Sequence, residues 1–319
     1  PFLLLTALAL PALAFAQGTL TPPAGAFSGA APTATMKTLD QVEPRTPVRA
    51  GAPGVTQNAN GGFTISASGS YYLTGNLTVA SGNAINIVSN NVTLDLAGFT
   101  ILSTSTPYAG TAIDVASTAQ INVTIRNGQI AGNITFADSG TASGSGFANG
   151  IVAESTQNCT VLEVNIGGAG DRGISLNTNN NSLIARCTAQ NCRTGLTACF
   201  VSDSSVRSLS VGICGSILTN CHARVTMSSA IDAFQNANNC FGVSTSGSGI
   251  ATDNATNCWG VSESGAAGLK ASKATNCTGG SDSGTGLTAT TATNCTGSSD
   301  SGTGLFADNA ANCAGISNS

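Results

Sequence analysis

From residue 62 onward, apolar and polar residues alternate in short runs, as in Val92-Thr93-Leu94-Asp95-Leu96 and Val123-Thr124-Ile125. Alternation places every second side chain on one face and predicts β-strands. The runs are rich in Thr, Val and Ile, and Gly and Asn break them too often for helices. A small residue followed by Ile or Leu recurs along the chain: Ala84-Ile85, Ala112-Ile113, Gly150-Ile151, Gly173-Ile174, Gly195-Leu196, Gly212-Ile213, Ala230-Ile231, Gly249-Ile250, Gly268-Leu269, Gly286-Leu287 and Gly304-Leu305. The Ile/Leu marks are spaced 28, 38, 23, 22, 17, 18, 19, 19, 18 and 18 residues apart. A period near 20 predicts a solenoid, one coil of strands and turns per repeat. Eleven coils stacked at about 4.8 Å predict a rod roughly 50 Å long. The two longest spacings read as insertions. The larger, at 133–148, is rich in Gly and Ser and is expected to loop out.

The C-terminal repeats, in short coils of 18–19 residues over 213–319, assign a task to each position. GLKASKATNCTGGSDSGT from Gly268, GLTATTATNCTGSSDSGT from Gly286 and GLFADNAANCAGISNS from Gly304 align residue for residue. Cys221, Cys240, Cys258, Cys277, Cys295 and Cys313 form one column, expected to point inward. The second residue after each is small (Ala223, Gly242, Gly260, Gly279, Gly297, Gly315) and should point inward too. Asn220, Asn239, Asn257, Asn276, Asn294 and Asn312 form a neighbouring column whose amides can hydrogen-bond along the axis at the turn.

The segments GSYYLTGNLTV (69–79), NNVTLDLAGFTI (90–101), NVTIRNGQI (122–130) and GAGDRGISL (168–176) resemble secreted bacterial parallel β-helix repeat proteins of pectin-lyase-like fold. TMKTLDQVEPRTPV (35–48) resembles the segment that precedes the helix in many of them. The resemblance implies an all-β, right-handed, single-stranded parallel β-helix with a short N-terminal cap segment. It leaves activity open, because the fold hosts lyases, hydrolases, epimerases and adhesins. An 18-residue period also matches left-handed hexapeptide helices, an alternative for the last third of the chain.

The N-terminus differs. Residues 1–16 are an apolar run ending in Ala14-Phe15-Ala16, which reads as a secretory signal peptide, too short to span a bilayer. Its basic region is missing and Pro1 stands where Met is expected, so the sequence reads as truncated upstream. Residues 17–61 read as a Pro/Gly-rich linker and cap segment preceding the helix domain at 62–319. Met36, Leu39 and Val42 mark a short amphipathic turn there, read as a cap over the first coil or a docking element.

Charged residues make up 8% of the chain, against about 25% in ordinary domains, and Lys+Arg number 11 against 15 Asp+Glu. That balance excludes a nucleic-acid binder, which needs clustered cations. No other run is apolar enough to cross a membrane.

Eleven cysteines in an exported chain suggest disulfides. The regular column argues instead for buried thiols, because stacked Cβ atoms about 4.8 Å apart are wider than the 3.8 Å a bridge wants. Cys187, Cys192, Cys199 and Cys214 fall off the column and are the better disulfide candidates. Glu263, Asp282 and Asp300 share another column, read either as a calcium site or as solvated turn residues. Arg186 and Asp203 share one as well and read as a surface ion pair. The outward column after Cys holds His222, Phe241 and Trp259, then Thr278 and Thr296, with Arg207 and Arg224 beside it. Arginines on adjacent rungs next to exposed rings suit an acidic sugar.

The expected function is therefore an exported, non-enzymatic β-helix acting as a structural, cell-surface or glycan-binding element. The alternative is a polysaccharide lyase or glycoside hydrolase on an acidic polymer, but no paired carboxylates or calcium ligand set can be matched residue by residue. A weaker alternative is ice or surface binding by Thr256, Thr275 and Thr293 with Thr278 and Thr296. Expected partners are polysaccharides. The chain stops in mid-repeat at Ser319, which predicts continuation or end-to-end self-association.

Overall fold

The computed structural model describes residues 43–115, 120–137 and 139–318. The expected signal segment, most of the linker and the turn at Met36–Val42 lie outside them. The described chain winds through three faces in a fixed order. In one short coil, Ile250–Thr256 runs along face A and bends into face B, and Trp259–Ser262 forms face C. Each strand pairs in parallel with its counterpart one coil earlier and one coil later. The fold is a parallel β-helix.

The recurring apolar mark is a single in-register file on face A. It runs Phe63, Ile85, Ile113, Ile151, Ile174, Leu196, Ile213, Ile231, Ile250, Leu269, Leu287, Leu305. These are twelve complete coils rather than eleven, because Phe63 occupies the Ile/Leu position of the first. The three ladders continue unbroken into the 18-residue coils. A change of hand would reverse the winding and break them, so one hand holds throughout, the right hand that parallel crossovers take.

The short repeat follows from what fills the interior. The inward file on face B runs Leu94, Ile125, Val161, Ile184, Val201, Leu218 and then Ala237, Ala255, Ala274, Ala292. On face C it runs Ile101, Ile130, Ile166, Ala189, Val206, Ala223 and then Gly242, Gly260, Gly279, Gly297. Face A keeps its Ile or Leu. As B and C lose side-chain volume the coil closes, and backbone meets backbone: a Cβ on Gly260 would lie 2.2 Å from the Gly268 carbonyl oxygen. The expected narrower C-terminal cross-section is thus built by two facing glycine files.

The corner between B and C is held by residues in the left-handed region. Ala97, Asn127, Glu163, Arg186, Asp203, Asn220, Asn239, Asn257, Asn276, Asn294 and Asn312 all have φ of 49–59°. Asn tolerates this conformation better than most residues. Its side chain adds an axial bond, each amide donating to the one before it at 3.2–3.3 Å from Asn239 to Asn312, with Asn220 donating to Asp203 at 2.9 Å. Asn122 and Asn158 repeat the device at the corner between A and B.

All eleven cysteines are free. The expectation that Cys187, Cys192, Cys199 and Cys214 favour disulfides is therefore corrected. Cys187 belongs to the inward column after all: Ser204 takes the place between it and Cys221, and its hydroxyl accepts the Cys187 N–H at 3.1 Å. The thiols of Cys221, Cys240, Cys258, Cys277 and Cys295 are buried in one interior file. Cys221 is held below its ordinary value by a hydrogen bond from Cys240, while donating that bond pushes Cys240 up to about 12. Burial alone pushes Cys159 up to about 12. A thiol must ionise and meet the reagent to be alkylated. Iodoacetamide at pH 8 should therefore modify Cys199 and Cys313, which are partly exposed, well before Cys159, Cys240 or Cys258. Mass spectrometry of the native protein reads the order, and early labelling of the interior file would contradict the burial.

The insertion at 133–148 is a hairpin, Asn133–Phe136 pairing antiparallel with Ala142–Ser145. Arg193 donates to the Gly140 carbonyl at its tip at 3.3 Å. At the other end, Thr46–Pro47 pairs with Tyr71–Tyr72, and Val55–Gln57 pairs antiparallel with Phe63–Ile65. Val48, Ala52 and Val55 are buried in the common core, so residues 44–57 cap the first coil.

Candidate functional site

Face C carries the residues singled out from the sequence, because strand alternation there is strict. Ala223, Gly242 and Gly260 point inward, so the residues on either side of each point out. One outward file is Ser205, His222, Phe241, Trp259, Thr278, Thr296. The other begins Gln190, Arg207, Arg224, Val243, Val261. Rung spacing brings the rings into contact. His222 and Phe241 have centroids 4.9 Å apart at 45°, and Phe241 and Trp259 meet edge to face at 5.2 Å and 77°. Trp259 remains 54% exposed. Such edge-to-face pairs contribute about 0.5–1.5 kcal/mol each beyond area burial and hold the rings as a stepped surface.

Beside the rings is a depression of about 390 Å³ lined by Gln190, Ser205, Val206, Arg207, His222 and Arg224. Arg224 is committed: its Nη2 donates to Glu263 Oε1 at 2.9 Å, and Thr245 donates to the other carboxylate oxygen at 2.9 Å. Arg207 makes no ion pair or side-chain hydrogen bond with a described residue. The depression therefore offers one free guanidinium, with a second held beside it.

This ion pair also corrects the acidic column. Glu263, Asp282 and Asp300 do stand on successive coils at one turn, but Glu263 reaches back to Arg224, and Asp300 accepts from Asn318 at 3.2 Å. Among the described residues no group of three or more His, Cys, Asp or Glu is arranged to hold a metal ion. The expected pair of Arg186 with Asp203 is corrected as well. Arg186 donates to Glu163 at 2.9 Å, one coil earlier in the same column, and Asp203 accepts from Asn220. The Thr columns are in register, Thr256 with Thr275 and Thr293 on face B and Thr278 with Thr296 on face C.

Face A holds a second, larger depression of about 540 Å³ that the reading of the sequence missed. The first residue after each Ile/Leu mark points out: Asp232, Ala251, Lys270, Thr288, Phe306. The third after the mark also lines it, including Phe234, Asp253 and Asp308. The same repeat register applied to positions after the Ile/Leu mark, instead of after Cys, would have found them. Burial raises the pKa of Asp232 above the ordinary carboxylate value.

No family model and no curated protein matches the chain. Among solved structures, a pectin methylesterase in complex with a hexasaccharide aligns over 76% of this chain and 72% of its own, at 10% identity and a TM-score of 0.29. A likeness of that degree carries nothing about activity, and the fold stands on the ladders described above.

Proposed function

We propose that the protein is a glycan-binding β-helix whose face C takes an acidic saccharide. The exposed ring file His222–Phe241–Trp259 carries this reading. The ring contacts fix the orientation of Trp259 yet leave it 54% exposed, and a sugar ring presents a C–H face that stacks on such a surface. Arg207 supplies the charge. It sits on the coil before Arg224, which Glu263 already holds, and a ligand carboxylate can accept paired N–H bonds from it. The apolar segment ending Ala14-Phe15-Ala16 suits export to where such polymers occur.

The test is calorimetry with an oligogalacturonate and its methyl-esterified counterpart. Trp259→Ala should weaken both by roughly tenfold, the size expected for one lost stacking platform. Arg207→Ala should remove the preference for the free acid. Unchanged binding in Trp259→Ala, or no binding by the parent, overturns the proposal. Release of new reducing ends or of unsaturated products in the same incubation would replace binding alone with hydrolysis or lyase chemistry.

A further inference from the structure

The groove on face A has the opposite character. Its charged residues are Asp232, Asp253 and Asp308 against Lys270, and none of the four makes an ion pair or side-chain hydrogen bond with another described residue. Unpaired carboxylates grouped along one groove leave a local negative field that a cation of matching spacing would neutralise. Asp232 is half-buried, where an unpaired charge is hardest to keep.

Two rings mark the ends. Phe234 is 50% exposed on one coil and Phe306 is 59% exposed four coils further on. Four rungs at about 4.8 Å separate them by roughly 19 Å along the axis. The groove is thus long and floored by Ala and Thr, with Asp232 and Asp308 on the ring-bearing coils at its ends and Asp253 and Lys270 on the coils between. From Ile231–Asn238 to Leu287–Thr293 the strands beneath it are paired on both sides within the ladders, so along that stretch the face presents side chains and no free backbone edge; Leu305–Ala311 pairs with Leu287–Thr293 on one side. A peptide strand has nothing to pair with along that stretch. A sugar chain needs no backbone partner: its ring faces stack on the phenylalanines, its hydroxyls accept from Lys270 and its charged groups meet the aspartates.

We infer that the groove formed by Asp232, Phe234, Asp253, Lys270, Phe306 and Asp308 binds a cationic saccharide, an oligomer of unacetylated amino sugar. Its ammonium groups pair with the aspartates, and no bond is made or broken. The rod would then hold an acidic glycan on face C and a basic one on face A.

Calorimetry on the full chain with glucosamine tetramer, N-acetylglucosamine tetramer and tetralysine tests this. The unacetylated sugar should bind roughly tenfold more tightly than either of the others, since only it combines charge with a stacking face. Phe234→Ala and Asp232→Asn should each weaken it about fivefold or more, with circular dichroism unchanged because both side chains lie on the outer surface. Trp259→Ala should leave it unaltered, which separates this site from face C. Equal binding of the two sugars, absence of binding, or tetralysine matching glucosamine would each overturn the inference.

Discussion

Replacing Gly279 with Ala should cost about 3 kcal/mol or more, although it adds a single methyl group. Neither a special backbone conformation nor a turn is involved, because Gly279 lies within the strand Thr278–Ser281. The obstacle is space. A Cβ there would lie 2.1 Å from the carbonyl oxygen of Gly286 and 2.7 Å from its carbon. Both atoms are backbone, and Gly286 is locked by its bonds to Thr303 and from Leu269. No side chain can swing away, so the two faces must separate and the pairing of neighbouring coils must loosen. The adjacent Gly280 is the control. It points outward, and its nearest foreign atom is a serine hydroxyl at 3.7 Å. Gly280→Ala should be neutral or raise stability by a few tenths of a kcal/mol, through the unfolded chain. Each coil touches only its neighbours, so the damage should be local. Hydrogen exchange should show lost protection around coils holding Gly260, Gly279 and Gly297, with the coils before Ile213 retained. Equal stability of the two variants would mean that the glycine files are not in contact.

The same stacking explains what could be read in advance. Inside the rod a residue meets its own counterpart one coil away, so a choice that packs once packs again, and the interior repeats visibly. Hence the Ile/Leu file, the inward Cys column, the small residue two places on and the Asn corner are apparent as spacings. Single substitutions within a file hid its members. Phe63 concealed the first coil, and Ser204 made Cys187 look out of register. Outside the rod the constraint vanishes. Asp232, Ala251, Lys270, Thr288 and Phe306 form one file with no two alike, so no recurring residue draws attention to it, although each directly follows an Ile/Leu mark. The ion pairs failed for a related reason: a column fixes which Cα atoms are stacked, but a long side chain such as Arg224 can pass over a coil to reach Glu263. The face C rings were legible because alternation alone decides whether a residue beside an inward glycine points to solvent.

The N-terminal cap should prove as dependent on one carboxylate as the C-terminal coils are on glycine. Asp95 is 7% exposed at the end of Val92–Asp95, next to the left-handed corner at Ala97. Its Oδ1 accepts the Ala97 N–H at 2.8 Å and the Asn127 amide at 3.3 Å. Its Oδ2 lies 3.3 Å from Arg45 and 3.2 Å from Arg126. Arg45 also lies over the Tyr72 ring, 4.9 Å from its centroid, so the carboxylate and the ring together fix the strand Thr46–Pro47 on the first coil. Asp95→Ala removes all four contacts at once, with an expected cost of about 2–4 kcal/mol, moderated because both arginines are partly exposed and regain water. The loss should appear first as release of the cap, read as faster tryptic cleavage at Arg45 and Arg49 than in the parent protein. Asp95→Asn separates the two halves of the role. Its amide oxygen can still accept from Ala97 and hold the corner, but it no longer pairs with the guanidiniums. Cap cleavage should then accelerate while the melting of the remaining coils changes little. If Asp95→Asn instead cleaves no faster than the parent while Asp95→Ala does, the corner bond rather than the ion pairs anchors the cap.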